Sequence, residues 1–307
     1  MYSVEQQALA QLVSAPDLAG DPGLAADFRR HHAETEQQAA LVGDRLEARG
    51  GAPSAIKDAI MKLGGKGFLA FALAQPETPG RLAVHAYSYE AMEWAGYEML
   101  IRFAEAAGDV ETVSMARGIR DEERAMMERL ERGFDAAEKV SHGDTPPEEM
   151  SDHVRKHLAE AHALESQGIQ LLSKSEKIAG DPRLAQICRR NLEKSRRHAQ
   201  LIEQRLEELG TGPSSLKDNV LALGGLNWSF FFQAQSDTPA KLAAFAYAYE
   251  HLKIGGYELL LRTARRAGDA VTGNLCESLV TEERDMAEGV AGAFDSAVQA
   301  ALMAVRI

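Results

Sequence analysis

EAMEWAGYE at residues 90–98 and EHLKIGGYE at 250–258 are nearly one phrase written twice, 160 residues apart. The first copy carries Glu90 and Glu93 one helical turn apart. The second keeps Glu250 but has Lys253 where the other glutamate stood. Sliding the chain by the same interval extends the match in both directions. AGDPGLAADFRR at 19–30 faces AGDPRLAQICRR at 179–190, and DEERAMMER at 121–129 faces TEERDMAEG at 281–289. Residues 1–140 and 161–300 share 53 identities in 140 positions without an insertion. Each copy is long enough to bury a core of its own, so the pattern is a duplicated domain rather than a solenoid. The boundaries expected are a first domain at 1–140, a linker at 141–149 (SHGDTPPEE) and a second domain at 150–307.

Within a copy the periodicity is helical. Ala, Leu, Glu, Gln and Arg dominate, and few stretches alternate as strands do. Asp21-Pro22 reads as an N-cap with proline in the first turn of a helix running to about Arg49. Thr78-Pro79 starts another helix ending near Gly108, and Asp109 caps the next. An opening helix spans roughly 2–16, and the connection 50–78 is expected to hold short helices such as Ser54–Leu63. In the second copy, 150–161 extends the opening helix. Tight joints after the first and third long helices, with one long connection between the second and third, predict an all-α fold. It consists of two ferritin-like four-helix bundles in tandem, each with a long crossover.

At 1.5 Å of rise per residue, acidic and imidazole side chains fall at a common height on all four helices of the first copy. They are Glu5 on the first, His31 and Glu34 on the second, Glu90 and Glu93 on the third, and Glu123 on the fourth. Glu123 shares the stripe of Ile119, Met127, Leu130 and Phe134, whereas Glu122 lies about a quarter-turn away. Five carboxylates cannot all stay ionised in a bundle interior, because each uncompensated buried charge costs several kcal/mol or takes up a proton. Two divalent cations offset that charge. A donor set rich in oxygen and poor in nitrogen suits iron or manganese better than zinc or copper.

The second copy has Glu165, Asn191, Lys194, Glu250, Lys253 and Glu283 at the corresponding positions. Three carboxylates beside two ammonium groups nearly neutralise themselves, which predicts a second site that is dead or weak. His198 lies two turns past Asn191, and His251 is on a different angular phase from Glu250. Tyr97, one turn beyond Glu93, is placed either to bond a ligand or simply to pack. His153 and His157 have a metal-compatible spacing but no supporting carboxylates.

HHAET at 31–35, EAMEWAGY at 90–97 and DEER at 121–124 resemble the YciE/YciF-like branch of the ferritin-like superfamily, here in tandem. ALESQ at 163–167, EHLKIGGY at 250–257 and TEER at 281–284 resemble the same segments in altered form. The resemblance implies a four-helix bundle with a dimetal-type site, frequent homodimerisation and an association with stress responses. On it, His31, Glu34, Glu90, Glu93 and Glu123 are the expected ligands, with Glu5 from the opening helix. The expected occupant is a pair of iron ions in the first domain, or manganese, or one of each, reacting with oxygen or peroxide. The alternative is a non-catalytic helical scaffold for protein interactions.

The bulk properties narrow the classes. A net charge of −12 argues against nucleic-acid binding. There is no apolar run long enough to span a membrane, and the opening MYSVEQQALAQLV shows no signal-peptide pattern. Two cysteines, Cys188 and Cys276, in helical apolar patterns predict buried thiols in a reducing, cytoplasmic setting.

Overall fold

The computed structural model describes residues 1–52, 77–143, 145–211 and 238–305. Both the expected short helix Ser54–Leu63 and the apolar stretch NWSFFFQAQ at 227–235 lie outside them. The chain divides into two compact units, Met1–Gly143 and Asp144–Ile307, and the described residues are helical with no strand. The first unit contains α1 (Tyr2–Leu12), α2 (Ala15–Leu18), α3 (Pro22–Ala48), α4 (Thr78–Ala106) and α5 (Val110–His142). The second contains α6 (Pro147–Ile178), α7 (Pro182–Glu208), α8 (Thr238–Arg266), α9 (Ala270–Ala291) and α10 (Phe294–Val305).

The helix starts follow their caps. Asp21 accepts from the amides of Gly23 and Leu24 at 2.8 and 3.0 Å, ahead of Pro22. Asp109 accepts from the Thr112 amide at 3.1 Å and from its hydroxyl at 2.7 Å. These bonds satisfy donors that have no partner inside a helix. Arg45, at the far end of α3, joins the same cap by donating to Thr112 Oγ1 at 2.8 Å and to Asp109. The second unit repeats the brace with Arg205, Thr272 and Asp269. Gly20 turns the chain with φ +67°, and a Cβ there would meet Val140 at 2.5 Å, so both conformation and space require glycine.

Helix directions follow from the cross-helix contacts. Arg45 meets Thr112, Gln38 meets Glu122 and Arg129 meets Glu34, so α3 and α5 are antiparallel. Gly80 meets Ser141 and Glu98 meets Arg120, so α4 and α5 are antiparallel too. Hence α3 and α4 run parallel, as the long crossover between them requires. The expected tandem four-helix architecture is therefore present.

The opening helix is shorter than expected, and the fourth helices of the two units end differently. The opening helix stops at Leu12 and restarts at Ala15 with Pro16 in its first turn, where a missing N–H is tolerated. In the second unit, Gly292 ends α9, whereas its counterpart Arg132 lies within the uninterrupted α5. No helix among the described residues is long and apolar enough to cross a membrane. Cys188 and Cys276 are buried and not disulfide-bonded.

Candidate metal centre

In α5, Ile119, Glu123, Met127, Leu130 and Phe134 are all buried, which turns the Glu123 carboxylate into the bundle along an otherwise apolar stripe. Glu122 points outward and accepts from Gln38 Nε2 at 2.9 Å. Glu90 and Glu93 enter from α4 and His31 from α3, all buried. His31, Glu90, Glu93 and Glu123 each offer one ligand atom lying within 4.8 Å of the others. His31 Nε2 is 2.9 Å from Glu90 Oε2 and 3.6 Å from Glu123 Oε2.

Glu5 reaches the same interior from α1, where it is fully buried despite having only one helical turn before it. Its Oε1 accepts the hydroxyl of buried Tyr97, while Oε2 has no hydrogen-bond partner. Tyr97 thus both packs and anchors a site carboxylate. Glu34 stands apart from the other five. It is one-quarter exposed, it contacts the Nδ1 side of His31 at 3.2 Å, and it pairs with Arg129 at 2.7 Å.

The electrostatics of the group are those of buried, mutually repelling carboxylates around one imidazole. Burial pushes the Glu5 carboxyl up to about 7 and raises Glu93 and Glu123 well above the usual carboxylate range. Burial alone would lower the His31 pKa, but Glu90, Glu34 and Glu123 together hold the imidazolium well above its ordinary value. Both oxygens of Glu93 lack a hydrogen-bond partner. A buried polar atom left so costs about 1–3 kcal/mol, more if charged, unless something else satisfies it. The donors present therefore fit a carboxylate-rich metal site.

The second unit solves the same problem internally. Lys253 Nζ lies 2.6 Å from Glu250, 2.8 Å from Glu283 and 3.6 Å from Glu165, and donates to Ser195 at 3.2 Å. Asn191, the counterpart of His31, donates to Glu250 at 3.0 Å. Tyr257 repeats Tyr97 by donating to Glu165 at 2.6 Å. The second cation is not the expected Lys194, which is half-buried and outside the cluster. It is His198, buried, with Nδ1 2.8 Å from Glu283 and 3.4 Å from Glu165. These carboxylates overcome burial and hold its pKa up at about 9.

His198 is not among the site residues expected from the sequence, because it lies two turns past Asn191. The available signal is helical phase: two turns past Asn191, His198 returns to the same inward face, and Gln38 is likewise buried. His251 is buried elsewhere, with Nδ1 2.9 Å from the Tyr247 carbonyl. His157 pairs with Glu160 at 3.4 Å.

The chain matches the family described as "Domain of unknown function (DUF892)" over residues 1–140 and again over 149–303. It belongs to that family. Its two DUF892 segments keep one bundle, one cap brace and one anchoring tyrosine while filling their centres differently. No solved structure matches the chain.

Proposed function

We propose that the first DUF892 unit holds a di-iron or mixed manganese/iron centre that oxidises Fe(II) with oxygen or peroxide, or decomposes peroxide. The observation that carries this reading is Glu93. A buried carboxylate with both oxygens unpartnered, packed among Glu5, Glu90, Glu123 and His31, makes physical sense when cations complete it. Glu5, Glu90, Glu93 and Glu123 would hold and neutralise the ions, and His31 Nε2 would supply the single nitrogen. The bound ions would supply one-electron chemistry on a small oxidant. The chain fixes the donors and keeps bulk water out, with Tyr97 holding Glu5 in place.

A crevice of about 20 Å³ has Gln11, Leu12, Phe28, Leu82, Tyr89 and Glu90 among its lining residues. That is room for about one water-sized molecule. It suits oxygen or peroxide as the co-substrate and is too small for an organic one. The YciE/YciF-like motifs extend the reading to a cytoplasmic stress role and to homodimerisation.

A second reading, a non-catalytic scaffold, is favoured for the second unit, whose interior charge is already matched by Lys253 and His198. Anaerobic titration with Fe(II) or Mn(II) separates the two readings. The metal reading expects two equivalents per chain, lost in Glu93→Gln, and consumption of oxygen or peroxide when either is added. Stoichiometric binding without reaction would support the scaffold reading instead.

A further inference from the structure

The two ring nitrogens of His31 have different tasks. Nε2 faces the acid cluster, 2.9 Å from Glu90 and 3.6 Å from Glu123. Nδ1 faces the other way, 3.2 Å from Glu34 Oε2, and the same oxygen accepts from Arg129 Nη2 at 2.7 Å. An imidazole that gives one nitrogen to a metal must place the proton of the other. A carboxylate at that position fixes the tautomer and ring orientation and makes the ligating nitrogen more basic.

We propose that Glu34 stays outside the coordination sphere. It holds the Nδ1–H of His31, Arg129 holds Glu34 in turn, and the chain Arg129–Glu34–His31 presents Nε2 to the metal. Glu34 and Arg129 are then positioning residues. This rests on the metal-centre reading and reassigns one residue within it.

Two observations support the reassignment. The ligand atoms of His31, Glu90, Glu93 and Glu123 converge, and no Glu34 oxygen is among that group. To enter it, Glu34 would have to leave both its histidine and its arginine. The second copy is an internal control. There His31, Glu34 and Arg129 are replaced together, by Asn191, Lys194 and Gly289. Some pairs away from the site survive duplication. Arg45–Asp109 persists as Arg205–Asp269, and the surface pair Glu105–Arg117 persists as Arg265–Glu277 with its charges exchanged. Glu34–Arg129 is lost together with the histidine it touches.

The test uses Co(II) with the full chain, comparing wild type, Glu34→Gln, Arg129→Gln and the double variant, with helical circular dichroism confirming the fold. In Glu34→Gln the number of ions bound and the shape of the Co(II) absorption spectrum are expected to stay as in wild type, while affinity weakens about 10–100-fold. Whatever Arg129→Gln does alone should largely vanish in the Glu34→Gln background, because Arg129 acts through Glu34. Loss of an ion, or the stronger absorption of a lower coordination number, in Glu34→Gln would overturn the proposal. So would an equal Arg129→Gln effect in both backgrounds. If Glu34→Gln fails to fold, ¹⁵N spectra of Zn(II)-loaded wild type decide: metal on Nε2 with a proton on Nδ1 is expected, and metal on Nδ1 refutes it. Absence of any metal binding by folded wild type would instead sink the underlying reading.

Discussion

Lys253 Nζ and Glu250 Oε2 meet at 2.6 Å inside the second unit, one turn apart on a single helix. In the first unit the residue at the lysine's position is Glu93, whose carboxylate has no hydrogen-bond partner. A carboxylate of the first unit thus becomes an ammonium group in the second, which together with His198 matches the interior carboxylates there. Lys253 is buried, and Glu165, Glu250 and Glu283 overcome the burial to keep it charged.

Removing that ammonium should be costly. Lys253→Met leaves three buried carboxylates around an apolar side chain, and breaking a buried ion pair costs about 3–5 kcal/mol. Urea denaturation of the full chain should show the second-unit transition moving to lower denaturant while that of the first unit holds.

Reversing the charge should have a different consequence. Lys253→Glu adds a fourth carboxylate to those of Glu165, Glu250 and Glu283, with His198 alongside, a set close in kind to the first centre. Mn(II) titration of this variant should show additional ions bound relative to wild type. No gain would mean that His198 cannot replace His31.

Two buried groups of the second unit contribute opposite pH dependences. His198 is held up at about 9 from an ordinary 6.5, so its contribution is complete below pH 6.5 and fades as pH rises through about 9. Glu165 is buried, which alone would raise it, but Lys253 and His198 bring it down to about 2 from 4.5. Its contribution is complete above pH 4.5 and is lost as pH falls through about 2. The denaturation midpoint of the second unit should therefore fall between pH 6.5 and about 9, and His198→Gln should flatten that decline.

The metal-free first unit should respond through its carboxylates. Glu5 is pushed by burial from 4.5 to about 7, so the native state keeps a proton that the unfolded chain gives up. Stability should decrease as pH rises from 4.5 through about 7. Bound cations displace that proton, so metal affinity should increase with pH and binding should release protons. Calorimetric titration in buffers of different ionisation enthalpy measures the release directly.

The part of the site legible in the sequence was the part set by helical phase and rise. Glu123 could be told from Glu122 because only Glu123 shares the stripe of Ile119 and Phe134. Likewise Asp21 and Asp109 mark the starts of their helices, and similar distances from the starts of their own helices put His31, Glu90, Glu93 and Glu123 at one level. What remained hidden depends on how side chains cross between helices. Lys194 and Lys253 look equivalent in the sequence, yet only Lys253 reaches the interior carboxylates. His198 enters from two turns away because its imidazole spans from Glu282, the counterpart of the Glu122 that Gln38 meets, to the interior Glu283. The direction of Glu34, behind His31 rather than beside it, is a rotamer choice fixed by Arg129, 95 residues along the chain.

On our proposal, metal completes one of the two homologous interiors and a lysine completes the other. Anomalous diffraction at the iron and manganese edges, from crystals of the full chain grown with those ions, tests this most directly. Peaks among Glu5, His31, Glu90, Glu93 and Glu123, with none beside Lys253, are the result expected. A peak beside Lys253, or a first unit in which Glu93 has turned away to solvent with no metal bound, would contradict it.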